Sequence, residues 1–235
     1  MNENITDIIV CGISDMHGNL NFSVPECDLC VCAGDFSPLA IQRNYKPVLT
    51  WTQEEFIPWV MRQPCKKFVF IAGNHDFVCE NPNWKTDLHE IFVGYGTNVL
   101  DKIVYLENES ADVLGLRVFG CPYSDIPRWA FSISTKDERG YKQIEPDVDL
   151  LIVHQAPKFE NVGTSNIGTW REHDWGSTML LKEIEIKKPH AVVCGHIHSG
   201  NHGAVQFNGT TIYNASMLDE QYELAYQPQQ FIIAK

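Results

Sequence analysis

Side chains that commonly bind metal ions follow directly after several short apolar runs of this sequence. Carboxylates and imidazoles that converge can hold two divalent cations, and two cations about 3.5–4 Å apart activate a water and clamp phosphoryl oxygens. Histidine is the commonest neutral ligand, and carboxylate and amide oxygens suit the harder ions. The residue types therefore point to metal-assisted hydrolysis of a phosphate ester by one set of residues: Asp15, His17, Asp35, Asn74, His154, His196 and His198.

The spacing of these residues suits a shared site. Asp15-x-His17 and His196-x-His198 each place two side chains on the same side of an extended segment, because strand periodicity is two. A glycine directly precedes three of the candidate positions, where the backbone has to turn sharply at the end of a strand. These glycines are Gly34, Gly73 and Gly195.

The apolar runs themselves predict buried strands. Short continuous runs rich in Val and Ile are typical of α/β sheets, whose ligands bind outside the carboxyl ends of the strands. Between them, 51–63 has helical periodicity with Pro58 as a possible kink, and 177–188 begins with a capping Ser177. We expect two packed sheets flanked by helices, with strands at 8–13, 29–33, 68–72, 115–119, 150–153 and 191–194 and a hairpin at 205–213 that turns at Asn208-Gly209.

Length and charge restrict the class of protein. The 235 residues suit one large domain or two small ones, and they contain neither a signal-peptide pattern nor an apolar run of about 20 residues, so we expect a cytoplasmic protein with no membrane partner. The net charge of −12 lacks the basic footprint that long nucleic acids require. A small phosphoester is the expected partner, because bound metals supply positive charge locally.

The order of the motifs resembles the calcineurin-like metallophosphoesterase superfamily. The matching blocks are Asp-x-His, Gly-Asp, Gly-Asn-His-Asp, a lone His after a strand, and Gly-His-x-His, and they extend from Ile9 to about Ser216. Within the superfamily, the segments 120–131 and 212–216 are similar to the small phosphodiesterases related to the animal metallophosphoesterase-domain-containing proteins. The resemblance implies a single domain over 1–235 with a four-layer α/β/β/α sandwich of two mixed β-sheets flanked by helices.

The resemblance also implies a role for each residue. Asp15, His17 and His198 would bind one metal, and Asn74, His154 and His196 would bind the other. Asp35 would bridge the two ions, and His75 would act as general acid or stabilise the transition state. Mn²⁺ is the expected metal, with Fe, Zn or Ni as alternatives.

The implied activity is hydrolysis of a small nucleotide-like or cyclic-nucleotide phosphodiester by a metal-bound hydroxide. A phosphomonoesterase or nucleotide pyrophosphatase with the same centre, and a non-catalytic nucleotide-binding regulator, are the alternatives. Protein phosphatase activity is not expected, because Asp35 is followed by Phe36-Ser37-Pro38 without the Arg of those enzymes. The family's His-Gly-Pro is replaced by His154-Gln155-Ala156-Pro157, which changes the rim but keeps the ligand.

The substrate pocket is less well specified by the sequence. Tyr123 and Arg128 fall in a long loop, where a ring could stack on a base and a guanidinium could hold a phosphate oxygen. Alternatively, Trp129 and Phe131 only pack that loop down. A separate hypothesis is that 161–170, which is rich in Gly, Asn and Thr, forms another rim of the pocket. The pair Cys27-x-x-Cys30 lacks the second ligand pair of a structural zinc site, so reduced thiols are expected.

Overall fold

A computed structural model describes the protein over residues 7–134 and 140–234. The strands in this part of the chain are β1 (Ile8–Ile13), β2 (Cys27–Cys32), β3 (Cys65–Phe70), β4 (Ile103–Tyr105), β5 (Glu109–Val113), β6 (Leu116–Cys121), β7 (Leu150–Val153), β8 (Thr164–Ser165), β9 (His173–Asp174), β10 (Ala191–Cys194), β11 (Val205–Phe207), β12 (Thr210–Asn214) and β13 (Gln229–Ile233). The α-helices are α1 (Tyr45–Trp51), α2 (Ile57–Arg62), α3 (Trp84–Tyr95), α4 (Thr97–Lys102) and α5 (Thr178–Lys187), and none is long and apolar enough to span a bilayer.

Two mixed sheets form the centre of the molecule. The first has the strand order β13-β1-β2-β3-β4 and the second β11-β12-β10-β7-β6-β5. Strands β1 to β4 run parallel, as do β12, β10, β7 and β6, and the remaining strands of the two sheets pair antiparallel at their edges. The parallel strands therefore direct their carboxyl ends to one end of each sheet.

Three hydrophobic clusters separate four layers. One fills the space between the two sheets, and it includes Val10 and Val193. Another lies between the first sheet and helices α1 to α4, and a third lies between the second sheet and α5. The central strands are buried on both faces, which explains their continuous apolar runs. The α/β/β/α sandwich predicted from the sequence is confirmed.

The helix that follows β2 is longer than the sequence pattern predicts. It begins at Tyr45 rather than Trp51 and ends at Arg62, with a π-helical turn at Thr52–Phe56 between α1 and α2. Pro58 lies at the start of α2 and has no N–H for a bond to the preceding turn. The wider π turn at this place keeps the helix continuous instead of ending it.

Two local predictions are confirmed. The Ser177 hydroxyl accepts a hydrogen bond from the Leu180 N–H at 3.1 Å, as expected of the residue that caps α5. Strands β11 and β12 form a hairpin in which Asn208 and Gly209 both have positive φ, 48° and 91°. Positive φ at both central positions is the geometry of the type I′ turn that an Asn-Gly pair favours.

The two sheets pack closely enough to require glycine at one point. A Cβ on Gly120 of β6 would lie 2.4 Å from Leu106 Cβ and 2.7 Å from Ile71 Cγ2. We expect Gly120→Ala to lower the free energy of unfolding by about 1–3 kcal/mol through overpacking. Gly94→Ala is the matched control, since no atom of the described residues lies within 4 Å of its Cβ position and alanine favours α3 by up to about 1 kcal/mol. Urea unfolding measures both, and equal stability of Gly120→Ala and the wild type would contradict the close packing.

Candidate metal centre

The structure brings the seven predicted side chains together where the strands of the two sheets end. Asp15 and His17 follow β1, Asp35 follows β2 and Asn74 follows β3. From the second sheet, one side chain follows β7 and two follow β10: His154, His196 and His198. Of the seven, His196 is partly exposed and the other six are buried.

The backbone at this end of the sheets is strained. Four of the seven residues have a left-handed φ, which non-glycine residues rarely adopt: Asp15 (52°), His17 (44°), Asp35 (53°) and His196 (71°). Hydrogen bonds from Asp15 N to Gly34 O (3.0 Å) and from His17 N to Asp35 O (2.9 Å) hold two of these turns in place. Such strain persists only where the surroundings enforce it, and it is concentrated at functional sites.

Two glycines allow the strand ends to approach one another. A Cβ on Gly73 would lie 2.3 Å from Asp35 Oδ1, and one on Gly195 would lie 2.2 Å from Asp15 Oδ2. The sequence pattern attributed these glycines to sharp turns. In the structure they leave room for the carboxylates of the neighbouring loops.

One half of the centre consists of Asp15, His17 and His198, whose ligand atoms lie within 4.8 Å of one another. The two histidine Nε2 atoms are 3.3 Å apart, and His198 Nε2 is 3.6 Å from Asp15 Oδ1. His198 Nδ1 donates to the Asp219 carbonyl oxygen at 2.8 Å, so that in the neutral ring the Nε2 lone pair faces the centre. This arrangement fits a divalent cation.

The other half contains Asp35 and His154, which form a second candidate group with Asp15. His154 Nδ1 donates to the Ala33 carbonyl oxygen at 2.8 Å, which leaves the Nε2 lone pair 2.7 Å from Asn74 Oδ1. Two acceptors at this distance require a proton or a cation to bind them both. His196 Nε2 is buried and has no hydrogen-bond partner among the described residues, which also fits a metal ligand.

Asp35 lies between the two halves. Its Oδ2 is 3.8 Å from His17 Nε2 and 3.5 Å from His154 Nε2, while its Oδ1 accepts from the His75 N–H at 2.7 Å. Asp15 is held from the other side, since its Oδ2 accepts from the Ser216 hydroxyl at 2.7 Å and from the His196 N–H at 2.9 Å. Both carboxylates can therefore contact cations without moving.

Comparison with known proteins agrees with this geometry. The family model for calcineurin-like phosphoesterases matches residues 10–200. The chain belongs to the calcineurin-like phosphoesterase family. Members of this family are typically dinuclear metal-dependent phosphoester hydrolases, and the seven clustered side chains of this member provide candidate ligands for such a centre.

Several curated relatives span most of this phosphoesterase. UPF0046 protein K07C11.7 of Caenorhabditis elegans is 27% identical over 97% of this chain and 75% of its own length. Human metallophosphoesterase domain-containing protein 1 is 25% identical over 93% of this chain and 68% of its own length, which confirms the narrower resemblance. A solved crystal structure that is 13% identical superposes with a TM-score of 0.61 over 97% of this chain and 100% of its own, which supports the fold.

Charge pairing dominates the electrostatics of this phosphoesterase's centre. Burial alone would raise the pKa of Asp15 and Asp35, but the neighbouring histidines outweigh burial and hold both pKa values well below the usual range. Burial disfavours the imidazolium forms of His154 and His198, yet the two carboxylates raise the pKa of each ring to about 9. Without metal, two positive rings thus balance two buried carboxylates.

Asp76 supports the centre without entering either candidate group. Its carboxylate accepts hydrogen bonds from the Gly73 N–H (2.8 Å), the Ser37 N–H (3.0 Å) and the Ser37 hydroxyl (2.6 Å). These bonds tie the loop after β3 to the loop that carries Asp35. Burial and the nearby Asp35 raise the pKa of Asp76 to about 7.

His75 lines the opening of the centre beside Asp35. A cavity of about 120 Å³, which we call the mouth cavity, is lined by Asp35, His75, His196, His198, Glu220 and Tyr222. His75 Nδ1 lies 2.8 Å from Gln42 Oε1, so the ring directs Nε2 away from that contact. Burial lowers the pKa of His75 despite the charge of Asp35.

A second cavity adjoins the first. This side cavity has a volume of about 200 Å³ and shares His196 and Glu220 with the mouth cavity. Its remaining lining residues are Ile126, Ser165, Trp175 and Ile197. The Trp175 Nε1–H donates to the Ser165 hydroxyl at 3.2 Å, which fixes the plane of the indole ring.

The two substrate residues suggested by the sequence line neither cavity. Tyr123 is partly buried and packs against two hydrophobic clusters, and Arg128 is exposed with a φ of 68°. Trp129 of the same loop contacts the His75 ring at a centroid distance of 4.5 Å, and Phe131 is buried. Substrate binding by Tyr123 and Arg128 stays a prediction.

The structure places further side chains near the centre that the sequence analysis did not identify, because they belong to no recognisable motif. Gln42 and the Arg43 guanidinium, which lies 3.6 Å over the Phe77 ring, come from the loop before α1. Tyr222 comes from the segment after β12, and its ring lies edge-on to His17 (5.0 Å) and His198 (5.2 Å). The backbone of Tyr222 has a φ of 63°, which is unusual for a bulky residue and marks this position in the structure. The sequence gives no sign of that conformation.

Metal binding to this protein should release protons. His154 and His198 have pKa values of about 9 without metal, so each ring loses its proton before it can bind a cation at neutral pH. We expect Mn²⁺ affinity to rise from pH 7 and level off above about 9, with roughly two protons released at pH 7. Calorimetry in buffers of different ionisation enthalpy counts these protons.

The matched control is His190→Gln. His190 is exposed beside Asp149, outside both candidate groups, so the variant should release the same number of protons as the wild type. Metal affinity that is independent of pH between 7 and 9 would contradict the charge pairing.

Proposed function

We propose that this chain is a dinuclear metal-dependent phosphodiesterase that acts on a small diester, such as a nucleotide or cyclic nucleotide. The observation that carries the proposal is the position of Asp35. Its carboxylate lies within 3.8 Å of imidazole nitrogens from both sheets, one in each half of the centre. A carboxylate in that position can contact two cations at once.

We assign residues to each cation as the family resemblance implies. Asp15, His17 and His198 would hold one, Asn74, His154 and His196 would hold the other, and Asp35 would contact both. Nitrogen and oxygen donors of this kind suit Mn²⁺, which we take as the physiological metal, and they also accept Fe, Zn or Ni. When bound, the two cations lower the pKa of a water between them and offset the charge of the phosphoryl oxygens.

The chain's own residues orient the ester and protonate its leaving group. The Asp15 and Asp35 carboxylates are fixed by hydrogen bonds before any substrate arrives, so little reorganisation is required. His75 lies at the mouth, where its Nδ1–H donates to the Gln42 side-chain oxygen. Its imidazolium form, which burial disfavours, can donate from Nε2 to the departing ester oxygen. The rings of His17 and Trp129 on either side limit its rotation.

The size and charge of the opening favour a small substrate. The mouth and side cavities measure about 120 and 200 Å³, and the chain's net charge is −12. Long nucleic acids need a basic surface to neutralise their phosphates. The Trp175 ring in the side cavity offers a flat apolar surface for the organic part of a diester, such as a base.

A phosphomonoesterase or nucleotide pyrophosphatase would use the same centre, so substrate comparison is the decisive experiment. We expect protein reconstituted with Mn²⁺ to hydrolyse bis-p-nitrophenyl phosphate with a higher kcat/KM than p-nitrophenyl phosphate. Asp35→Asn should remove most of this activity, because it withdraws charge from both cations. A higher kcat/KM on the monoester would replace the proposal with phosphomonoesterase activity. Metal binding without turnover of either ester would support the non-catalytic regulator.

The role of His75 predicts a dependence on the leaving group. His75→Asn should lower kcat about 10²–10⁴-fold for a diester with an alkoxide leaving group, because that group needs a proton. p-Nitrophenolate leaves without one, so its kcat should fall far less. Metal content measured by elemental analysis should equal that of the wild type. An equal loss of kcat with both leaving groups would contradict the assignment of His75 as general acid.

A further inference from the structure

The segment after β12 forms a fixed turn, residues 219–223, beside the metal centre. The Asp219 carbonyl oxygen accepts from His198 Nδ1 at 2.8 Å, which attaches the turn to a candidate ligand. The Asp219 carboxylate accepts from the N–H groups of Gln221 (2.8 Å) and Glu223 (3.0 Å), which closes the turn on itself. Side chains on this turn therefore have defined positions relative to the centre.

Glu220 of this turn lies where the two cavities meet. It lines both the mouth cavity and the side cavity, a property that it shares only with His196 among their described lining residues. Its Oε1 accepts from the Ser199 hydroxyl at 2.6 Å and from the Ser199 N–H at 3.3 Å. The Ser199 hydroxyl in turn accepts from the Asn166 N–H at 2.8 Å, so the group that holds the carboxylate is itself fixed.

The charge around the opening is negative once the ligands are excluded. None of the described residues that line the two cavities is Lys or Arg. Their acidic lining residues are Asp35, which is a candidate ligand, and Glu220, which is not. The Arg43 guanidinium lies over the Phe77 ring, 5.8 Å from the centre of the Trp129 ring, and Arg43 is not among the lining residues of either cavity. A phosphoryl group in the mouth cavity would thus have cations on one side and a carboxylate on another.

We propose that Glu220 is a specificity-determining residue that favours singly charged phosphodiesters over doubly charged phosphomonoesters. The inference rests on the proposed function and deepens it. A phosphomonoester carries close to two negative charges at neutral pH, because its second pKa is about 6, whereas a diester carries one. A fixed carboxylate repels the second charge, and the effect is moderate because Glu220 is exposed to solvent.

The test compares Glu220→Gln with Glu223→Gln in the Mn²⁺-loaded protein. The Gln oxygen at 220 can still accept both bonds from Ser199, so the substitution removes the charge and keeps the contacts. Glu223→Gln changes the net charge equally from the same turn but at a residue that lines neither cavity. At pH 8, Glu220→Gln should raise kcat/KM for p-nitrophenyl phosphate relative to bis-p-nitrophenyl phosphate by about three- to tenfold.

Binding of inorganic phosphate provides a measurement that does not depend on turnover. We expect Glu220→Gln to bind phosphate about three- to tenfold more tightly than the wild type by calorimetry at low salt, with a smaller difference in 0.5 M NaCl. Glu223→Gln should match the wild type in both measurements.

The outcomes separate this inference from the proposed function. If the wild type cleaves diesters and Glu220→Gln behaves as Glu223→Gln does in both measurements, the role of Glu220 is overturned while the phosphodiesterase stands. If the wild type cleaves neither ester, the proposed function fails, and the phosphate affinities alone decide whether Glu220 excludes a second negative charge. A Glu220→Gln protein that binds phosphate no more tightly than the wild type overturns the inference in that case too.

Discussion

Two buried carboxylates, Asp15 and Asp35, are the constraint on which the rest of the structure depends. A buried negative charge is costly unless it is paired and hydrogen-bonded. Here the charges are balanced by histidines from both sheets and by hydrogen bonds from Ser216, His75 and His196. Bound cations can replace the protons of the histidines in balancing these negative charges. Metal affinity and the fold therefore both depend on positive charge beside Asp15 and Asp35.

Meeting that constraint requires strand ends from two sheets to converge. The inter-sheet cluster brings β1 and β10 together, so that loops from opposite sheets come within hydrogen-bonding distance, as His196 N and Asp15 do at 2.9 Å. That convergence requires backbone strain, because several residues at the centre adopt a left-handed φ. It also requires glycine at positions 73 and 195, where a Cβ would clash with a carboxylate of a neighbouring loop. Packing energy from the three clusters maintains the strained loops.

The centre combines opposite charges over a short distance. Two cations held by the candidate ligands would attract a phosphoryl group, whereas Glu220 places a carboxylate at the opening. His198 connects the two regions, because its Nδ1–H bonds to the turn that carries Glu220 and Tyr222. The proposed selectivity for substrate charge and the orientation of the candidate ligand His198 thus depend on the same short segment, residues 219–223.

The sequence alone determined the layers and the set of candidate ligands. Continuous apolar runs are diagnostic of strands buried on both faces, and each predicted ligand follows such a run, so the sites of Asp35 and His154 could be read directly. Tertiary structure alone decided the surroundings. Gln42, Glu220 and Tyr222 belong to loops without a periodic pattern or motif, and the periodicity of 51–63 did not indicate the π turn before Pro58. Periodicity reports which residues are buried within an element, whereas the contact of one loop with another depends on how the elements pack.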